Sequence, residues 1–249
     1  MNRTETFSPL DVTELSVHLS WPTLDVFSDD TDEIQILIAG DDNSAEDLKV
    51  VLENGRLSVD QPTRGFSYRI NQPIWMQIVI RLPRSWKGEF DLSTVSGSLT
   101  ARGLSGSDIA LESASGDIKA EDLTGLTVKL VTVSGDAEAV NIDCDTCIIR
   151  SVSGDMNVIE GTAGQWRLTD VSGNITLDMS GSFDKLAASS VSGNVRVDVP
   201  ATQVDAYIRS VTGRIRTRDI SITENAPAIR LSTVSGDLDI RSTIQTSDK

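Results

Sequence analysis

Apolar and polar residues alternate in short runs along the whole chain, and over the C-terminal two thirds these runs recur at a fixed interval. The recurring unit is Val-Ser-Gly-Asp. Its glycines are Gly97, Gly116, Gly135, Gly154, Gly173, Gly193, Gly213 and Gly236, at steps of 19, 19, 19, 19, 20, 20 and 23 residues. A fixed period near twenty residues is the signature of a repeat architecture.

Each repeat contains two stretches of period-two alternation, which is typical of β-strands. Counted from the glycine, the apolar columns are −7, −5 and −2 before it and +2 and +4 after it. The apolar residues change from odd to even positions between −5 and −2, which predicts a bend in the chain there. The glycine that follows allows φ > 0 at this corner. Small residues predict a second corner at +9: Gly106, Gly125, Cys144, Ala163 and Ser182.

Two architectures fit this pattern. Ser-Gly-Asp-Ile can turn an antiparallel hairpin and give a meander, or each repeat can form one layer of a parallel β-solenoid, with layers about 4.8 Å apart. A propeller fits less well, because each blade needs about 40 residues. The solenoid is favoured because it stacks every column on itself. It predicts that Leu111, Leu130, Ile149 and Leu168 contact one another in sequence.

We therefore predict an all-β fold, a parallel β-solenoid with about 19–20 residues per coil. Right-handed winding is expected by analogy with parallel β crossovers. Because the last step between glycines is longer, residues 220–227 are expected to form a bulging loop.

The N-terminal part lacks the Val-Ser-Gly signature but alternates in the same way. Strand candidates are residues 12–20, 24–27, 33–39, 48–52, 56–59 and 74–82. We interpret residues 1–90 as irregular first coils or a small sheet that caps the solenoid, since an open end exposes unpaired strand edges. No linker follows, so residues 1–249 are predicted to be one domain, with regular repeats over 91–240 and a polar tail over 241–249.

The repeat also carries a family resemblance. The Thr/Ser-Val-Ser-Gly-Asp/Asn units, after an N-terminal part that contains Trp21-Pro22-Thr23-Leu24-Asp25-Val26, resemble the bacterial β-strand-repeat "putative adhesin" family, a domain of unknown function. The resemblance covers nearly the whole chain, and eight units in register make it specific. It implies a β-helix-like fold and no catalytic residue, and some relatives are linked to cell-envelope stress.

The chain has 37 acidic and 22 basic residues and a formal charge of −15. This charge disfavours nucleic acid and anionic membrane surfaces as partners. No secretory signal is visible, and no apolar stretch reaches the roughly 20 residues of a membrane span. We expect a cytoplasmic protein, with peripheral association with the cell envelope as an option.

Cys144 and Cys147 form a single Cys-x-x-Cys motif. Structural zinc needs about four ligands, and the chain has no further cysteine. Cys147 also falls in the apolar −7 column, so we interpret both as buried, reduced structural thiols. His18 is the only histidine, and we interpret it as structural.

The aspartates that follow the repeat glycines form a line. Asp117, Asp136 and Asp155 would stack in neighbouring repeats, and Asn174 and Asn194 would continue the line. Solvated turn carboxylates are the favoured interpretation. Calcium bridging through their oxygens is the alternative, although the Gly-Gly-x-Gly-x-Asp pattern of calcium-binding β-rolls is absent.

No catalytic, cofactor or metal residue is predicted, because the serines recur in every repeat and the acids form no distinct cluster. The sequence favours a non-catalytic, adhesin-like scaffold or binding protein with an unknown protein partner. Outward aromatics anchor interfaces, so Trp21, Trp75 and Trp86 mark a candidate partner surface, whereas Trp166 occupies a core column. The alternative is a polysaccharide hydrolase or lyase on a β-helix; hydrolysis would require two carboxylates across one cleft.

Overall fold

The computed structural model describes residues 2–40, 47–61 and 75–244, and the elements whose bounds it gives are all β-strands. They join in one large mixed sheet that is mainly parallel. The strands are β1 (Asn2–Phe7), β2 (Glu14–Leu19), β3 (Thr23–Asp29), β4 (Ile34–Gly40), β5 (Lys49–Glu53), β6 (Arg56–Asp60), β7 (Met76–Pro83), β8 (Glu89–Thr94), β9 (Leu99–Arg102), β10 (Ser105–Ser113), β11 (Ile118–Thr132), β12 (Ala137–Arg150), β13 (Met156–Thr169), β14 (Ile175–Met179), β15 (Lys185–Ser192), β16 (Val195–Val199), β17 (Gln203–Thr212), β18 (Ile215–Arg218), β19 (Ser221–Ile222), β20 (Ala228–Ser235) and β21 (Leu238–Ser242).

The central repeats stack in sequence. Leu111 pairs with Leu130, Leu130 with Ile149 and Ile149 with Leu168, all in parallel register. Ile118 pairs with Ala137 of the next repeat and not with Ser113, so the antiparallel meander is wrong. The columns at −7, −5, +2 and +4 supply the buried apolar core of these repeats.

The valines at −2 are not part of this core, contrary to the sequence expectation. The alternation continues without a shift to −3, where small hydroxyl side chains such as Thr94 and Ser113 are buried. The valine at −2 therefore points outward, and the chain bends after it. The expectation was wrong because valine is usually buried and Ser or Thr usually exposed, and at these two positions the burial is reversed.

A turn that the sequence did not predict lies at +6, and the parallel pairing is interrupted again at +10, directly after the small residues of the predicted +9 corner. The residues at +6 have φ between 53° and 67°: Gly103, Asp122, Asn141, Glu160 and Asp219. Asn and Asp tolerate this left-handed region better than most residues do. In the repeats of β11 to β13, the small residues at +9 pair across neighbouring layers: Gly125 with Cys144 and Cys144 with Ala163.

The repeats at the C-terminal end are out of sequence order. β20 pairs with β15 on one side and with β17 on the other, and β21 lies in the same way between β16 and β18. The repeat of Gly236 is thus inserted between those of Gly193 and Gly213. Residues 220–227 are accordingly not a bulging loop: they contain β19, which pairs with β17, and they carry the chain back into the stack.

Apolar burial accounts for this order. The inserted repeat has Leu238 and Ile240 at its inward positions +2 and +4, and both are buried. The repeat that ends the stack has Ile215 and Thr217 there, and both are exposed. Since the inner position buries more surface, placing the more apolar repeat inside is favourable by the hydrophobic effect.

The N-terminal end has a similar insertion and an antiparallel cap. β2 lies between β8 and β6, and β3 lies between β9 and β7. β1, β4 and β5 pair antiparallel and close this end. All six strand candidates are confirmed, apart from residue 74, which lies outside the described residues. β1 was not predicted.

Candidate binding surface

The repeat glycines allow the layers to approach closely. A β-carbon added at any of them would lie no more than 2.5 Å from a backbone carbonyl oxygen of the adjacent layer, a distance that real β-carbons essentially never show. For the middle repeats that oxygen belongs to the preceding glycine. Only Gly154 and Gly236 among them also have φ of +152°. Close approach, rather than backbone conformation, is therefore the common reason for glycine.

The residues at +1 are exposed in most repeats, as expected for turn carboxylates, and they also form a hydrogen-bonded ladder. The backbone N–H of Asp155 donates to Oδ1 of Asp136 at 2.8 Å, and that of Asn174 donates to Oδ1 of Asp155 at 2.8 Å. The same bond joins Asn194 to Asn174 at 3.2 Å. Each side chain thus satisfies an amide of the next layer. A calcium ion would have to share Oδ1 with this hydrogen bond or use the second oxygen of each aspartate.

The valines at −2 form an exposed stripe along one corner of the stack. Between 43% and 64% of the surface of each residue is accessible in Val95, Val133, Val152, Val171, Val191, Val211 and Val234. Ala114 fills the remaining position of this valine stripe. With layers about 4.8 Å apart, eight positions extend over about 34 Å. The aspartate ladder runs along the same corner, so an apolar line lies near a line of carboxylates and amides.

Asp170 is a buried carboxyl in the inward −3 column, where the other repeats have Ser or Thr. Burial raises the pKa of this carboxyl, and hydrogen bonds from the backbone of Val171, the hydroxyl of Ser190 and the backbone of Ser172 oppose that rise. Oδ1 has no hydrogen-bond partner among the described residues. Asp170 therefore places an incompletely hydrogen-bonded carboxyl in the core.

Replacing Asp170 with serine, the usual residue of its column, is expected to stabilise the protein by about 1 kcal/mol at pH 7. A carboxyl whose pKa rises on folding adds stability only below its unfolded pKa, and this stability is lost as the pH rises through the folded value. The advantage of D170S should therefore shrink towards pH 4. Urea unfolding at both pH values measures it, with exposed Asp145→Ser as the control. A less stable D170S at pH 7 would contradict the account.

The two cysteines are free and buried, as predicted. Cys147 pairs with Val128 on one side and with Trp166 on the other, within the −7 column. A hydrogen bond with Cys144 and burial raise the pKa of the Cys147 thiol well above its ordinary value. A protonated thiol is a poor nucleophile, which fits a packing role.

His18 has partners that the sequence did not reveal. Its Nδ1 lies 3.3 Å from Oδ1 of Asp60, and its Nε2 lies 3.4 Å from Oδ2 of Asp91. These residues are 42 and 73 positions away and meet because β2 is inserted between β6 and β8. A half-exposed imidazole between two carboxylates joins three layers of the stack.

The predicted aromatic surface is only partly present. Trp75 is exposed, but Trp21 packs against the core and Trp86 is buried. The indole N–H of Trp86 donates to the carbonyl of Val12 at 2.9 Å, and its ring meets Phe90 edge-on at 5.2 Å. Trp166 fills a core position, as predicted.

An open groove of about 390 Å³ is lined by acids from two different parts of the chain. Its lining includes Asp25 and Glu121. Gln77 donates to Asp25 at 2.8 Å, and Arg102 pairs with Glu121 at 2.6 Å. A glycosidase acid keeps its proton in an apolar pocket, whereas both of these carboxylates have polar partners. Within the described ranges, no three His, Cys, Asp or Glu side chains are grouped as a metal site.

Two solved structures share this fold over nearly their full length. A "putative lipid binding protein" from Parabacteroides distasonis is 18% identical, with a TM-score of 0.63 and 96% of both chains covered. A "putative adhesin" from the same organism is 10% identical, with a TM-score of 0.63, and covers 96% of this chain and 97% of its own. At these identities the likeness shows the fold alone. No curated protein matches the chain.

Residues 12–241 match the sequence model of the Toastrack DUF4097 family, a domain of unknown function. The match covers both the N-terminal part and the repeats, so the resemblance inferred from the Val-Ser-Gly-Asp units is confirmed. Where the structure describes the chain, it contains no helix with the length and apolarity to cross a membrane.

Proposed function

Because the chain belongs to the Toastrack DUF4097 family, a domain of unknown function, we propose its role from its own surface: it is a non-catalytic, adhesin-like binding protein that holds a protein partner along the valine stripe. The exposure of these seven valines in one line carries the proposal. Contiguous exposed apolar surface on a soluble domain marks an interaction site.

Charge favours a protein over a lipid surface as the partner. The chain carries a formal charge of −15, and Asp117, Asp136 and Asp155 follow the valine stripe. Anionic headgroups would be repelled there. The relative described as a "putative lipid binding protein" makes lipid the competing partner, and the test below separates the two.

We also propose the handedness and the domain organisation of the chain. The chain winds as one right-handed parallel β-solenoid domain over residues 1–249, and the antiparallel strands β1, β4 and β5 cap it. Such a rod presents one corner continuously, which suits a scaffold that a long partner lies against. The protein resides in the cytoplasm and associates peripherally with the cell envelope. The polysaccharide hydrolase or lyase remains the alternative, and the groove at Asp25 and Glu121 is its site.

The double variant Val152→Ser with Val171→Ser tests the proposal. Binding of the purified protein to isolated bacterial envelopes is measured by co-sedimentation. We expect affinity to fall about tenfold, the loss of about 1.4 kcal/mol of binding energy. Leu126→Ser is the matched control, since Leu126 is exposed to a similar degree but lies off the valine stripe. Its binding should equal that of the unmodified protein.

Protease treatment of the envelopes identifies the partner class. A protein partner predicts that treated envelopes no longer bind the chain. Binding that survives the protease, and is retained on vesicles of neutral phospholipid, would assign the valine stripe to lipid instead. Equal binding by the double variant and the unmodified protein would remove the valine stripe from the function.

A further inference from the structure

Among the described strands, none covers the C-terminal end of the stack, in contrast to the N-terminal end. β18 pairs with β21 on its inner edge, and no other described strand lies along its outer edge. Ile215 points inward at the +2 position, yet 48% of its surface is accessible, whereas the equivalent residues of the other repeats are buried. An apolar position and an unpaired strand edge thus lie side by side.

The unpaired groups on this edge can be identified from the ladder. The N–H of Leu238 donates to the carbonyl of Arg214 at 2.9 Å. In a parallel ladder, residues facing one neighbour alternate with residues facing the other. The N–H and C=O groups of Ile215 and Thr217 therefore point away from β21. The chain itself leaves on the other side, because Thr243 N–H donates to the carbonyl of Val199 at 2.9 Å.

The outward face of β18 is basic within an acidic protein. Arg214, Arg216 and Arg218 alternate with the inward residues and so share that face. The acidic residues in β21 and directly before it show which side chains pair with these arginines. Arg214 and Arg216 lie 3.6 and 3.7 Å from Oδ2 of Asp237, and Arg218 lies 3.4 Å from Oδ2 of Asp239.

We infer that the free edge of β18 binds an extended peptide segment of a partner protein in which acidic and apolar residues alternate. The segment adds a parallel strand to the sheet, as in β-augmentation. Its acidic side chains face the three arginines, and its apolar side chains cover Ile215. The arginines disfavour a second copy docked end to end about a two-fold axis, because that arrangement would set the two basic rows against each other.

The bound strand β21 supplies the probe. Arg218 faces Arg241 across the ladder, and Arg241 is itself held by Asp198 at 2.7 Å. A free peptide would lack that partner. The probe is therefore the capped, fluorescent heptapeptide of residues 236–242 with Arg241→Glu, which places three carboxylates opposite three arginines. The control peptide also carries Asp237→Ser and Asp239→Ser.

Fluorescence anisotropy with the full chain measures binding. We expect saturable binding of the probe and an affinity at least about tenfold lower for the control peptide. Raising the salt concentration from about 0.05 to 0.5 M should weaken binding, because the pairs are exposed. The double variant R216E and R218E should lose binding, and circular dichroism with thermal melting checks its fold.

A second variant keeps the test independent of the ion pairs with β21. Thr217→Pro removes an N–H on the outer edge and no bond to β21, and proline is tolerated on edge strands. It should abolish probe binding while the melting temperature stays close to that of the unmodified protein. No binding by the unmodified protein, or equal binding of both peptides, would overturn the inference. A concentration-dependent dimer in sedimentation velocity, abolished by Thr217→Pro without any peptide binding, would assign the edge to a second copy and also overturn it.

Discussion

Replacing Gly154 with valine is expected to destabilise the protein by more than about 3 kcal/mol. Gly154 lies in the middle of the stack with φ of +152°, a conformation in which a β-branched residue is strained. Its β-carbon would also collide with the carbonyl oxygen of Gly135. Both layers would have to separate, and repeat stability depends on contacts between neighbouring layers.

The neighbouring residue provides the matched comparison. Asp155→Asn should change stability by less than about 0.5 kcal/mol, because an amide oxygen can accept the N–H of Asn174 as the carboxylate does. Asn174 and Asn194 already accept the equivalent backbone N–H groups in the ladder, from Asn194 and Asp237 respectively. Asp155→Ala removes the acceptor and should cost about 1 kcal/mol.

Urea unfolding of the three variants measures the order Gly154→Val, Asp155→Ala, Asp155→Asn. An Asp155→Asn variant less stable than Gly154→Val would show that the charge of the aspartate line matters more than its hydrogen bonds. In that case the calcium interpretation would become the leading one, and calcium should then raise the melting temperature of the unmodified protein.

The stacking of the repeats could be predicted from the sequence, because a parallel stack explains why the same residue type recurs at the same position of each repeat. The direction in which the −2 side chains point could not be predicted. Hydrophobicity alone assigns valine to the core and serine to the surface, but Ser113 and Thr132 are buried while Val133 is exposed. Strict alternation from −7 through −5 to −3 was the available signal, and the polar −3 position obscured it.

The order in which the repeats stack could not be predicted from the sequence either, for a related reason. Since every repeat presents similar columns, any repeat can stack on any other, and the pattern does not choose between them. The choice depends on single differences, such as Thr217 where Ile240 is found in the inserted repeat. The 23-residue step was a second signal, because a chain that returns into the stack needs a longer connection than one that continues.

The partners of isolated polar residues follow from that order. His18 meets Asp60 and Asp91 only because β2 lies between β6 and β8. Likewise, Arg241 meets Asp198 because β21 lies beside β16. A sequential stack would give each residue other neighbours, so these ion pairs could not be predicted before the insertion was known.

Because the repeat of Gly236 is inserted before the end repeat of Gly213, we expect that ending the chain after Glu224 unfolds two repeats, although it deletes only one. Removing β20 and β21 takes away nearly all the pairing of β17, and with β21 it removes the one described strand that pairs with β18. Residues 203–218 should then exchange their amide hydrogens at the rates of an unfolded chain, whereas in the intact protein the amides bonded to β20 and β21 exchange at least about a hundredfold more slowly.

Restacking of β17 and β18 directly on β15 and β16 is the competing outcome, and charge opposes it. It would place Arg216 beside Arg196 at the same outward position, and like charges directly opposite each other are destabilising. It would also lose the pairs of Arg214 with Asp237 and of Arg218 with Asp239. The inward Thr217 would cover Val197 less well than Ile240 does.

A chain that ends after Ala201 is the matched control, because it lacks all five C-terminal strands. If β17 and β18 depend on the inserted repeat, both shortened chains should protect the same amides in β15 and β16 and unfold at the same urea concentration. Protection of residues 203–218 in the longer chain would show that the repeats can stack in sequence. The order in the intact protein would then reflect a preference among alternatives of similar free energy, not a requirement of the end repeat.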